Sequence, residues 1–199
     1  MYRGSGPRIL PIIIVIVVVA LVVAALVTVG RMIFSGGSTD TNETAGTSLQ
    51  DAVLDRTASR SVRWTIRGPI VADENFRSYQ ITVGPSTRTF VTYSGYLDQV
   101  MDTKTYDNNA KAYEEFVYAL DKASIAKTRN SSDEEFRGVC ATKGMAYMFE
   151  TLNDATVNNS IWSSSCKDSA GTMAADPLKI HALFVNQIPD FKPLFNDIY

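Results

Sequence analysis

The sequence predicts an α+β protein, in which an N-terminal transmembrane helix is followed by one exported domain with an antiparallel sheet packed against two main helices. Three observations predict it. An uncharged apolar run fills residues 9–29, apolar and polar residues alternate in several short stretches beyond residue 60, and two later stretches space their apolar residues as a helix does. Strands and helices that are segregated rather than alternating point to an antiparallel sheet covered on one face. The expected division is a cytoplasmic tail over 1–8, a transmembrane helix over 9–34, a flexible linker over 35–47 and an extracytoplasmic domain over 48–199.

The run from Ile9 to Val29 contains no charged residue. At 1.5 Å per residue, a helix of about 21 residues spans roughly 30 Å, the hydrocarbon thickness of a bilayer. Lipid offers the backbone no hydrogen bonds, so the run is expected to be helical despite its many β-branched residues. Pro11 suits a first turn. Arg3, Arg8 and the amino terminus precede the run, which places the N-terminus in the cytoplasm and the domain outside. The alternative is a cleaved signal segment and a secreted protein, but the run exceeds a typical signal core and no small-x-small site follows. A type IV pilin is disfavoured, because Gly6 is followed by Pro7 and the run holds no Glu.

The 199 residues carry a formal net charge of -2. Setting aside Arg3, Arg8 and Arg31, which flank the apolar run, leaves the remainder more acidic still. That balance gives no clustered positive face for nucleic acid. Residues 35–47, rich in Gly, Ser and Thr, read as a polar spacer.

Within the domain, Thr47 and Gln50 have capping-box spacing ahead of a short helix containing Leu49, Ala52 and Val53. Val62, Trp64 and Ile66 share one face of a strand, with Arg63, Thr65 and Arg67 on the other, and Gly68-Pro69 ends it. Tyr79, Ile81 and Val83 alternate again, Gly84-Pro85-Ser86-Thr87 turns the chain, and Arg88 to Tyr93 returns it. A further short strand is expected near Tyr96 to Met101. Asp107 is read as the cap of a helix over 108–126, with Tyr113, Phe116, Val117 and Leu120 as its core stripe. In the second half, Val139 and Cys140 are assigned to a strand, as are Tyr147 to Leu152 and Ser160 to Ser165. Asp176-Pro177 starts a helix that buries Ile180, Leu183, Phe184 and Ile188, and Pro189 ends it. Leu194, Phe195 and Ile198 remain to be buried by the tail. The stretches Tyr79–Asp107 and Tyr147–Asp176 are nearly equal in length, and both read strand, turn, strand, loop, helix. A diverged duplication and a coincidence between small folds both fit.

Cys140 and Cys166 are the two cysteines, and an oxidising exterior makes a disulfide between them the default. The alternatives are two free thiols or a catalytic cysteine, and catalysis would need a nearby base where the chain has a single histidine, His181. No cofactor is expected. One His and two Cys fall short of zinc sets, and neither a calcium loop, a phosphate loop nor a nucleophile elbow is present. Asp73-Glu74 and Glu114-Glu115 are adjacent acids, unsuited to facing each other across a glycosidase cleft. Arg63 and Arg67 on the open strand face are the candidate binding residues, for a lipid headgroup or a wall polymer; their bland role is to pair with nearby acids.

Several segments carry a resemblance. Residues 67–79 (Arg67-Gly68-Pro69-Ile70-Val71-Ala72-Asp73-Glu74-Asn75-Phe76-Arg77-Ser78-Tyr79), Tyr106-Asp107-Asn108-Asn109, Ala112 to Leu120, Val139-Cys140-Ala141-Thr142 and Gln187-Ile188-Pro189-Asp190 resemble a group of uncharacterised single-pass, membrane-anchored envelope proteins of small-genome bacteria. The resemblance implies an envelope protein with the same anchor and cysteine pair, and it carries no assigned activity with it. With a complete small core and no catalytic set in the sequence, the expected function is a non-enzymatic binding or structural domain, partnered by the bilayer through residues 9–34 and by an envelope protein or polymer. The alternative is an envelope hydrolase or transferase in which two of Asp73, Glu74, Asp98, Asp102 and Glu150 converge in a cleft.

Overall fold

The computed structural model describes residues 48–131, 136–167 and 169–196. The tail, transmembrane helix and linker expected over 1–47 lie outside them. Among the described residues no helix is long and apolar enough to cross a membrane. Residues 46–199 form one unit. It contains strands β1 (Arg60–Arg67), β2 (Arg77–Val83), β3 (Thr87–Ser94), β4 (Gln99–Asp107), β5 (Ala146–Asn153) and β6 (Thr156–Ser164), with helices α1 (Leu49–Leu54), α2 (Ala110–Lys122), α3 (Pro177–Val185) and α4 (Phe191–Asn196).

The six strands make one antiparallel sheet in the order β4-β3-β2-β1-β5-β6. The alternation in β1 decides its place at the centre. Trp64 lies opposite Ile81 of β2 and Phe149 of β5, and Ile66 lies opposite Tyr79 and Tyr147. All these side chains are buried on one face. The stripe Tyr113, Phe116, Val117 and Leu120 of α2 packs on that face, joined by Ile180 and Phe184 of α3. Trp64 is sandwiched between Tyr147 and Phe184, each at 5.7 Å between ring centroids. Fully burying aromatic side chains of this size contributes about 2–3 kcal/mol each. The helix α2 also carries the chain from the β4 edge back to β5, beside β1. The opposite sheet face, containing Arg63, Thr65 and Arg67, is left without a helical layer among the described residues.

The caps are local chemistry. Asp176 accepts the Leu178 and Lys179 N–H groups with Pro177 at the first helical position, as expected. Two other helix starts differ from expectation. Ser48, not Thr47, accepts the Asp51 N–H at the start of α1. Asn109, not Asp107, caps α2 by accepting the Ala112 N–H. The reason is that Asp107 is still paired with Thr87 in β4. That strand extends well beyond the short segment expected near Tyr96 to Met101, because β3 offers a full-length ladder that local propensity does not reveal. It also unbalances the two halves, since a third strand precedes α2 whereas only β5 and β6 precede α3.

The cysteine pair is a disulfide, Cys140–Cys166, with Cα atoms 5.7 Å apart. Closing a loop of this size stabilises by about 3–4 kcal/mol on the chain-entropy model. Cys166 lies just past the end of β6, as expected, with Ser165 between them. Val139 and Cys140 do not form a strand. Residues 137–140 are a turn, and Cys140 has φ of 57°, in the left-handed region that no strand allows.

Candidate functional site

Where β1 ends, at Arg67-Gly68, the uncovered side of the sheet deepens into a cleft of about 430 Å³. Its walls come from five segments: Arg67 and Gly68 at the end of β1, Ile70 and Phe76 in the β1–β2 connection, Tyr96 in the β3–β4 turn, residues 136–139, and Ala146 at the start of β5. The volume falls within the range of small-ligand sites, and the lining is mainly apolar.

Each wall is fixed by its own bonds. Phe76 and Tyr96 stack at 4.2 Å. The Tyr96 hydroxyl donates to the Val71 carbonyl at 2.7 Å and accepts the Val71 N–H at 3.0 Å. The Tyr96 N–H donates to Asp73 Oδ1 at 2.7 Å. Gly95 makes that approach possible: its φ is 68°, and a Cβ there would stand 3.0 Å from the Asp73 carboxylate. The connection carrying Ile70 and the turn carrying Tyr96 are thereby tied into one unit. On the far wall, Phe136 meets Trp162 edge to face at 5.8 Å.

Arg67 supplies charge to this apolar recess. Its guanidinium lies 4.9 Å from the Phe76 ring centroid and 3.3 Å from Asp98 Oδ1. Asp98 in turn accepts from the Ser78 hydroxyl at 3.5 Å. The ring contact and the carboxylate together restrain the planar guanidinium at the cleft wall. Arg137 is the second arginine lining the cleft.

The two candidate arginines therefore occupy different surroundings. They share a face of β1, but Arg63 faces its cross-strand neighbour Glu150 and donates to it at 2.7 Å, with Glu150 buried. Arg67 lines the cleft. The aromatic walls at Phe76, Tyr96 and Phe136 were not singled out in the sequence. The sequence offers no signal for them, because the exposure of Ile70, Val71, Tyr96 and Leu97 in loops becomes visible only in the fold.

The acids considered for hydrolysis have structural partners. Asp73 holds the Tyr96 N–H, Asp98 pairs with Arg67, Asp102 with Lys104 and Glu150 with Arg63. None of these, nor Glu74, lines the cleft. Hydrogen bonds from Lys104 and the Thr103 N–H hold the Asp102 carboxyl below its ordinary value. Glu114 pairs with Arg56 and Lys111, and Glu115 with Lys111. His181 is half-buried near the rings of Tyr79 and Phe191, and burial lowers its pKa. Among the described residues no group of three or more His, Cys, Asp and Glu is placed to hold a metal ion. No family model matches the chain, and no curated protein matches it.

Proposed function

We propose that this chain is a membrane-anchored binding protein of the cell envelope, held by residues 9–34 with its domain outside, and that it takes its ligand at the Arg67 cleft. The observation that carries the binding role is the juxtaposition of an oriented guanidinium with apolar and aromatic walls at Ile70, Phe76, Tyr96 and Phe136. Such a recess suits an apolar or aromatic group that bears a carboxylate or phosphate, carried by an envelope protein or polymer. Asp98 is partly exposed and its contact with Arg67 is long, so an incoming anion competes for the guanidinium at little cost. The external placement draws support from the flanking arginines, from the Cys140–Cys166 disulfide and from the resemblance to anchored envelope proteins.

A photoreactive residue at Ile70, on the cleft rim, tests this in cells. Crosslinked adducts are expected with the wild-type cleft and are expected to vanish with Arg67→Ser. Protease added to intact cells is expected to remove the domain. Adducts unchanged by Arg67→Ser would overturn the cleft as the site. A domain that survives protease with reduced thiols would overturn the placement.

A further inference from the structure

We propose that two copies of this chain join along β4, antiparallel about a two-fold axis at Thr103, so that two six-stranded sheets become one. The strand β4 is the outermost on its side of the sheet, and every residue in it except Tyr106 is exposed. A bulge at Met101 interrupts the strand, and its regular part, Asp102 to Asp107, presents an edge of backbone donors and acceptors.

The ladder with β3 fixes which groups face outward. The Asn108 N–H donates to the Ser86 carbonyl at 2.8 Å, directly before the paired residues Thr87 and Asp107. Bonded and non-bonded pairs alternate along an antiparallel ladder. Tyr106, Lys104 and Asp102 therefore direct their backbone groups to β3, and Thr105 and Thr103 direct theirs outward. A separate contact agrees: the Thr103 N–H donates at 2.8 Å to the side chain of Asp102.

Charge then selects the register. Bonding between outward groups requires odd-numbered residues to face one another. With the two-fold axis at Asp102, two carboxylates face each other; at Lys104, two ammonium groups do. An axis at Met101 or Thr105 leaves both charges without an opposite. Only the axis at Thr103 sets Asp102 of each copy against Lys104 of the other, as closely spaced non-bonded pairs. Asp102-Thr103-Lys104 is its own complement when run backwards, which is what a second copy supplies. Within one copy these side chains already pair at 3.0 Å, and both are about half exposed; on pairing, Asp102 exchanges its own Lys104 for that of the second copy and releases the Thr103 N–H to the facing strand.

The test uses the full-length chain in detergent. On mild oxidation T103C is expected to give a disulfide-linked dimer, because the two positions meet at about 5.5 Å between Cα atoms. T105C is expected to give none, because its two copies lie roughly 14 Å apart. D102K and K104D are each expected to weaken the dimer about tenfold, measured by sedimentation, and the double variant D102K/K104D is expected to restore it. Equal crosslinking at both positions, no crosslinking at T103C, or failure of the double variant to recover would overturn the proposal. These side chains are exposed, and an unchanged thermal melt establishes that each variant is folded.

Discussion

The two faces of β1 carry alternate residues of one strand and do different work. Val62, Trp64 and Ile66 lie under the helical layer with no exposed surface. Arg63 and Arg67, on the other side, remain 23% and 25% exposed. The first face has one physical role, removal of apolar area from water. The second is heterogeneous. Arg63 neutralises Glu150, whose side chain is only 7% exposed, and so belongs to the stability of the sheet. Arg67 stands at the strand end, where the neighbouring chain turns away and leaves a recess. Equal chemistry at two positions of one face therefore does not mean equal function; what lies opposite each residue decides.

The largest expected effect breaks the first face. Trp64→Ala removes the ring held between Tyr147 and Phe184 and is expected to cost about 3–5 kcal/mol, read from the midpoint of urea unfolding. A loss below about 1 kcal/mol would mean that the helical layer does not press on β1 as described. The next effect separates the two arginines. Arg63→Ser leaves the Glu150 carboxylate buried without its cation. The expected loss is about 2–3 kcal/mol, somewhat below the range for a wholly buried pair because Arg63 reaches solvent. Arg67→Ser removes a partly exposed ion pair and a ring contact and is expected to cost about 1 kcal/mol or less; under the proposed binding role it is nonetheless expected to abolish capture at the cleft. Equal losses from the two variants would erase the distinction between them.

The smallest expected effect is a pH dependence on the covered face. Burial lowers the pKa of His181 from 6.5 in the folded protein, so the unfolded chain binds a proton at higher pH than the folded one does. Its cost to stability is absent well above pH 6.5 and grows as pH falls below that value. His181→Phe is expected to flatten the dependence of the unfolding midpoint between about pH 5 and about pH 7.5. An unchanged slope would place the responsible group elsewhere.

Much of this organisation is legible in the sequence because it is local and periodic. Alternation in β1 and β2, the stripe of α2 and the Asp176-Pro177 start each depend on neighbours a few residues away, and each is found where expected. The end of β4 and the conformation of Cys140 were misread, since both are set by partners distant in the chain: β3 for the first, Cys166 and the loop around Gly144 for the second. The cleft was illegible for the same reason. Phe76, Tyr96 and Phe136 become neighbours only after β1, β2 and β3 pair and residues 136–139 come to rest beside Ala146.

The sequence by itself determined the α+β class, the faces of the strands and helices, and the identity of the disulfide partners, since periodicity and a cysteine count of two leave little freedom. The tertiary structure alone decided that Arg63 is spent on Glu150 while Arg67 lines a recess, and that β4 forms an exposed edge. Periodicity reports which side of an element meets the core. Long-range pairing decides what each polar residue on the other side finds there.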